Sequence, residues 1–209
     1  MLLQMSLQII INSKGSDFLK RFIYIKSVHD MTDIQQDLNA LFMSLVHVIN
    51  MVQDHNSALF IYEGYDELDF EEITLNMLSD TLYDLVLYQS FQFESLDELM
   101  KHYDFIKTYI ELVPKKIGPF LNDQKVLKSI MHLPKKILKE QFLRKYAKDN
   151  MMLDTLNIYF ENDQNMSKAS KELYIHRNTL IQRLDKFLQE TGFDVRKFQD
   201  AVIIYQLIS

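Results

Sequence analysis

Residues 166–190 constrain this chain more than any other stretch: Met-Ser-Lys-Ala-Ser-Lys-Glu-Leu-Tyr-Ile-His-Arg-Asn-Thr-Leu-Ile-Gln-Arg-Leu-Asp-Lys-Phe-Leu-Gln-Glu. They read as two helices joined by a tight turn. In the first, Ala169 and Leu173 lie four residues apart on one face. In the second, Leu180, Leu184, Phe187 and Leu188 recur at the helical period. Tyr174, Ile175 and His176 fill the turn, with Ile175 as its buried anchor. The small Ala169–Ser170 pair lets two helices cross closely, the plug in the turn fixes their angle, and the stripe buries the second helix. That is the steric recipe of a helix-turn-helix.

The side of the second helix turned away from the stripe carries the candidate chemistry. Arg177 is the side chain best suited to bidentate contact with guanine. His176, Thr179 and Gln182 can reach a base edge or a phosphate. Lys168, Lys171, Arg183 and Lys186 are candidate phosphate contacts, although Arg183 lies near the inward stripe, where the alternative is bracing the domain. Asn178 is a candidate cap of the second helix. The bland reading of all these polar positions is an ordinary solvated helix face.

The same residues carry a resemblance. Leu173-Tyr-Ile-His-Arg-Asn-Thr-Leu180, followed by Arg183-Leu184 and Thr191-Gly192, resembles the C-terminal helix-turn-helix of the PucR/CdaR family of bacterial transcription regulators. That family's motif has the form L-x-I/V-H-R-N-T-L-x-Y-R-L with a T-G pair shortly after. Gln182 departs from it, standing where the family usually has Tyr. The resemblance implies a DNA-binding regulator, with residues 176–186 placed in the major groove. Family members usually carry a further N-terminal sensor domain, and this chain is expected to start too late to hold one.

Charge distribution points the same way. The 209 residues carry a net charge of −6, which alone argues against a polyanionic partner. Residues 1–112, however, hold 6 Lys+Arg against 18 Asp+Glu, a net of −12, and residues 113–209 hold 17 against 11, a net of +6. A basic half joined to an acidic one is the pattern of a nucleic-acid-binding part attached to a part with another task. Enzyme readings find little support. The four glycines, Gly15, Gly64, Gly118 and Gly192, are isolated and build no phosphate-cradling loop. There is no cysteine, and the six histidines show no metal-binding spacing. No cofactor and no metal are expected. The longest stretch without Lys, Arg, Asp or Glu, Leu38 to Gln53, is too short and too polar to span a bilayer, and no signal peptide is expected, so the expected location is the cytoplasm.

Read in order, the chain is expected to be α+β. An N-terminal two-layer α/β domain would occupy residues 1–113, a helical connector residues 114–150, and an all-α helix-turn-helix domain residues 151–209. Strands are expected at Leu7–Ile11, Arg21–Val28, Ala58–Tyr62 and within Leu82–Phe93. Helices are expected from Thr32 or Asp33 to about Asp54, from Asp66 to about Ser79, and after Ser95. The α/β region resembles the degenerate GGDEF-like domain that precedes the helix-turn-helix in PucR/CdaR regulators. It lacks the glycine-glycine-acidic hairpin on which cyclase activity depends. Pro114 to Pro119 marks the boundary. The following helical stretch is cationic through Lys135, Lys136, Lys139, Arg144, Lys145 and Lys148. Asn165 is expected to cap the helix carrying Lys168, and Gly192 to end the second helix of the motif in a left-handed cap. Phe198, Val202, Tyr205 and Ile208 form one face of the last helix, expected to close the core, with pairing to a second copy as the alternative.

The function expected is a sequence-specific, double-stranded-DNA-binding transcription regulator acting as a homodimer on two half-sites roughly 34 Å apart or a multiple of that, with an effector the sequence leaves unknown. The alternative is an interaction protein that associates with related regulators and binds no DNA. A third reading is a small-molecule-sensing module.

Overall fold

The computed structural model describes residues 19–64, 68–81 and 84–209. The chain divides into two compact units, one of Met1–Thr108 with Lys115–Asn122, the other of Tyr109–Pro114 with Asp123–Ser209.

The first unit is built on a five-stranded sheet of β1 (Lys20–Ser27), β2 (His47–Asp54), β3 (Ser57–Glu63), β4 (Leu85–Gln89) and β5 (Phe120–Asn122). The order is β2-β3-β1-β4-β5. β1 pairs antiparallel with both β3 and β4, β2 pairs antiparallel with β3, and β5 lies parallel to β4. Helices α1 (Gln35–Leu45), α2 (Phe70–Thr81) and α3 (Leu96–Tyr109) cover the sheet.

Successive side chains of a strand point to opposite faces, and here both faces are buried. Ile23, Ile25, Phe60, Tyr62 and Leu87 turn to one side, where they share a core with Leu38 and Phe42 of α1 and Phe70 and Met77 of α2. Phe22, Tyr24 and Tyr88 turn to the other, against His102 and Tyr103 of α3. There the Tyr88 hydroxyl and His102 Nε2 share a buried 2.9 Å hydrogen bond. The α+β class is as expected, but helices lie on both faces, making three layers where two were expected. The reason is visible in β1 and β3, whose apolar runs are too continuous for a sheet with one wet face.

Three local expectations change. The helix starting near Thr32 does not run to Asp54: α1 ends at Leu45, Val46 is extended, and β2 follows. A β-bulge between Val48 and Asn50 explains the misreading. The extra residue interrupts the two-residue alternation, so Val48, Ile49 and Val52 take on helical spacing while lying in a strand. Asn56–Ser57, expected to break that helix, instead stands where the chain turns from β2 into β3. The expected helix from Asp66 begins at Phe70, where Asp69 accepts from the N–H groups of Glu71 and Glu72. The expected strand Leu7–Ile11 lies outside the described residues. Ser95 does cap α3, accepting from the Glu98 N–H at 3.2 Å.

The stretch after Pro119 is not one divided helix, and only from Asp123 does it belong to the second unit. β5 comes first, then α4 (Asp123–Ser129), α5 (Lys135–Leu138), a π-helical turn at Lys139–Leu143 and a 3-10 turn at Arg144–Lys148. Four helices follow: α6 (Asn150–Glu161), α7 (Met166–Glu172), α8 (Arg177–Thr191) and α9 (Phe198–Ile208).

Much of the cationic character of residues 135–148 is directed at helix C-termini. Lys139 donates to the Ile208 carbonyl at 3.3 Å and Lys135 to that of Ser209 at 3.4 Å, both at the end of α9. Arg144 donates to the Glu190 carbonyl at 3.1 Å, at the end of α8, and Lys145 pairs with the Glu190 carboxylate. Cations suit these positions because the last carbonyls of a helix lack partners and carry partial negative charge.

The last helix also differs from its expected role. Phe198, Val202 and Tyr205 are 75%, 36% and 48% exposed, so their face does not close the core, and of that set only Ile208 is buried. The core side of α9 is Ala201, Ile204 and Leu207. Both sets repeat at helical spacing, so periodicity alone could not choose between them.

Candidate nucleic-acid interface

The two helices of the motif are fixed by small and apolar residues that the sequence already marked. Ala169 is fully buried and Ser170 nearly so, which lets α7 approach α8 closely. On α8, Leu180, Leu184, Phe187 and Thr191 are buried. Asn165 caps α7, its side-chain oxygen accepting from the N–H groups of Ser167 and Lys168 at 3.1 Å each. Asn165→Ala is expected to cost about 1 kcal/mol of stability and Asn165→Gly only a few tenths, read as the shift in a thermal melt. Equal losses in the two variants would show that the cap contributes nothing here. At the far end, Gly192 has φ +79 and its N–H bonds back to the Leu188 carbonyl at 2.8 Å, the left-handed cap expected from Thr191-Gly192.

The turn holds two features that sequence reasoning missed. Tyr174 has φ +53, a left-handed conformation rare outside glycine, and its side chain is 94% exposed. The backbone closes around it: Tyr174 N–H donates to the Lys171 carbonyl and Ile175 N–H to that of Ser170. Glycine would have signalled such a turn, and tyrosine does not. The second feature is the N-cap of α8. It is His176, whose Nδ1 accepts from the Asn178 N–H at 3.2 Å, and not the Asn178 side chain. Accepting through Nδ1 requires that nitrogen to be unprotonated.

The remaining candidates fall into two groups. His176, Arg177, Asn178, Gln182 and Lys186 on α8 are exposed, as are Lys168 and Lys171 on α7. Among the described residues, the side chains of Arg177, Gln182, Lys186, Lys168 and Lys171 engage in no hydrogen bond or ion pair. Asn178, Gln182 and Lys186 recur every four residues along the side of α8 opposite its buried stripe. Thr179 is half-buried beside them. Arg183 belongs elsewhere: half-buried, it donates from Nη1 to Thr155 Oγ1 at 2.8 Å and ties α8 to α6. Of the two roles open to it from sequence, bracing is the one its geometry supports.

Beyond α8, Arg196 donates to Asp185 at 2.6 Å and to Asp194 at 2.7 Å. Burial works to raise the Asp194 carboxyl, but the Arg196 side chain and backbone N–H outweigh it and hold the group below its ordinary range. This anchor leaves the chain after α8 tied to the helix without using any exposed residue of its outer side.

The arrangement has relatives. The family model of the PucR C-terminal helix-turn-helix domain matches residues 152–206. The uncharacterized protein YxkF of Bacillus subtilis (strain 168) is 26% identical over 155 residues, covering 68% of this chain and 51% of that protein. The purine catabolism regulatory protein of the same organism is 40% identical over 47 residues, covering 22% of this chain and 9% of that protein. The carbohydrate diacid regulator of Escherichia coli (strain K12) is 33% identical over 63 residues, covering 30% and 16%. The chain thus spans about half the length of YxkF and much smaller parts of the two regulators. No described helix is long and apolar enough to cross a membrane. Residues 152–206 are thus similar to the PucR C-terminal helix-turn-helix domain, and parts of the chain are similar to two bacterial regulators, one of purine catabolism and one of carbohydrate diacids.

Proposed function

We propose that this protein is a cytoplasmic, sequence-specific DNA-binding transcription regulator acting as a dimer. Its helix-turn-helix unit reads the major groove with α8, and its acidic sheet unit serves self-association or response to an effector. The observation that carries the reading is the outer side of α8, where Arg177, Gln182 and Lys186 are exposed and unengaged, flanked by Lys168 and Lys171 of α7. Elsewhere in the same unit, Lys145 and Arg196 are held in ion pairs.

The roles divide by chemistry. Arg177, at the start of α8, offers the planar fork that matches guanine O6 and N7, and Gln182 offers a donor and an acceptor to a base edge. His176 caps the helix through Nδ1 and keeps Nε2 for a phosphate or base. Tyr174, exposed in the turn, adds a hydroxyl at the same end. Lys168, Lys171 and Lys186 contact phosphates, which positions the helix but carries no sequence information. One such helix makes few base contacts, so two copies bind half-sites about 34 Å apart or a multiple of that.

Selection of bound sequences from a random DNA pool by the purified chain tests the reading. Enrichment of a site with two related halves is expected, and enrichment of nothing overturns it in favour of an interaction protein that binds no DNA. Lys168→Ala is expected to weaken binding to all sequences alike. It should also reduce the slope of log affinity against log salt by about 0.9, the share of one phosphate contact. A loss confined to the selected site would instead make Lys168 a base-reading residue.

A further inference from the structure

We infer that two copies of this chain associate edge to edge through β2, joining their sheets across a two-fold axis. The inference rests on the proposed dimer and assigns its surface. β2 is an outer strand: β3 lies on one side, and no described strand pairs with the other. Alternate residues of such a strand turn N–H and C=O groups outward, a ready template for another strand. Edges are normally guarded by lysine, proline or inward charge. β2, His47-Val-Ile-Asn-Met-Val-Gln-Asp54, has no lysine, arginine or proline and carries Asp54 alone at its end. A bulge lies between Val48 and Asn50, beyond which Asn50–Asp54 keeps unbroken register with β3, and at the far end Gln35 Nε2 donates to the Asp54 carbonyl at 2.9 Å. Ile49 and Met51 are 38% and 39% exposed, and Met43 on the preceding α1 is 55% exposed.

Charge selects the occupant. The sheet unit, residues 1–108 with 115–122, holds 8 Lys+Arg against 17 Asp+Glu, a net of −9, so two copies of it repel at most approaches. The longest stretch free of Lys, Arg, Asp and Glu, Leu38–Gln53, folds into the later part of α1 and all of β2 except its last residue. The open edge and this uncharged window are therefore the same surface. A basic partner would be drawn to the acidic residues elsewhere, and a polyanion would be repelled. A second copy is the partner for which the absence of charge decides where contact forms. A strand paired with itself about a two-fold axis is antiparallel. Centred on Val52, the pairing sets Asn50 opposite Asp54 of the second copy, Met51 opposite Gln53, and Val52 opposite itself, so no like charges meet.

The chain has no cysteine, so one introduced cysteine reports a single position. In the full chain under mild oxidation, Val52→Cys is expected to give covalent dimer roughly tenfold faster than Val202→Cys on α9 or Glu72→Cys on α2, since only directly opposed positions meet disulfide geometry. Met51→Lys, an edge lysine, is expected to weaken the dimer roughly tenfold in sedimentation equilibrium, with the thermal melt unchanged. A dimer that survives Met51→Lys and cross-links through Val202→Cys but not Val52→Cys overturns the inference and leaves the dimer reading standing. A wild-type chain that stays monomeric over the same concentrations overturns both, and DNA binding, measured separately, is judged on its own result.

Discussion

Truncating Phe187 to alanine is expected to cost the helix-turn-helix unit about 3–5 kcal/mol, the largest effect of any single change considered. Phe187 is fully buried on the inner side of α8, and its ring lies 5.5 Å from that of Tyr146, centroid to centroid. Leu180 and Leu184 are buried on the same stripe. Removing the ring forfeits its transfer from water and leaves a cavity whose walls, anchored in several helices, collapse only in part. Since a domain's total stability is about 5–15 kcal/mol, the loss takes much of the margin. The chain has no tryptophan, so far-UV circular dichroism is the suitable probe. The expected result is a lower midpoint for the helical transition, with the sheet unit keeping its own. Phe187→Leu should recover much of the loss. A cost below about 1 kcal/mol would mean that α8 is not held by this stripe, and the placement of its outer side would lose its support.

That stripe was readable because helix-turn-helix structure is local. Buried and exposed positions of α8 repeat every three to four residues, and the caps at Asn165 and Gly192 use residue types with a direct physical reason to be there. Where several residue types can meet one structural need, the sequence was ambiguous. His176 caps α8 though asparagine stood two residues away, and Tyr174 takes the left-handed turn that glycine would have announced. Arg183 could face either way from its position on the helix, and the deciding partner, Thr155, lies 28 residues earlier. The sheet unit was read less well because its determinants are non-local. Nothing near Val48 distinguishes a bulged strand from a helix until β3 is placed beside it. The outward face of α9 was misassigned because both of its apolar sides repeat at the same period, and only packing decides which is covered.

Arg177→Ala is expected to lower affinity for the selected DNA site by about 1–3 kcal/mol and to relax preference at one base pair in each half-site. Arg177 is exposed on the first turn of α8 and pairs with no described residue, so its removal should move the thermal midpoint very little, within about 0.5 kcal/mol. A binding loss would then belong to the interface and not to folding, a separation Phe187→Ala cannot offer. Size and pattern of the loss report the contact. A guanidinium bidentate on guanine loses affinity for the preferred base and little for the others, so the selected and random sequences converge. A guanidinium on phosphate weakens all sequences equally and reduces the salt slope by about 0.9. Arg177→Lys sharpens the distinction: an ammonium keeps the charge but lacks the planar fork. It should therefore restore the salt slope of a phosphate contact yet fail to restore discrimination at a guanine. A variant that binds the selected site as well as the wild type, with unchanged preference, would remove Arg177 from the interface and with it the proposed approach of α8 by its N-terminal end.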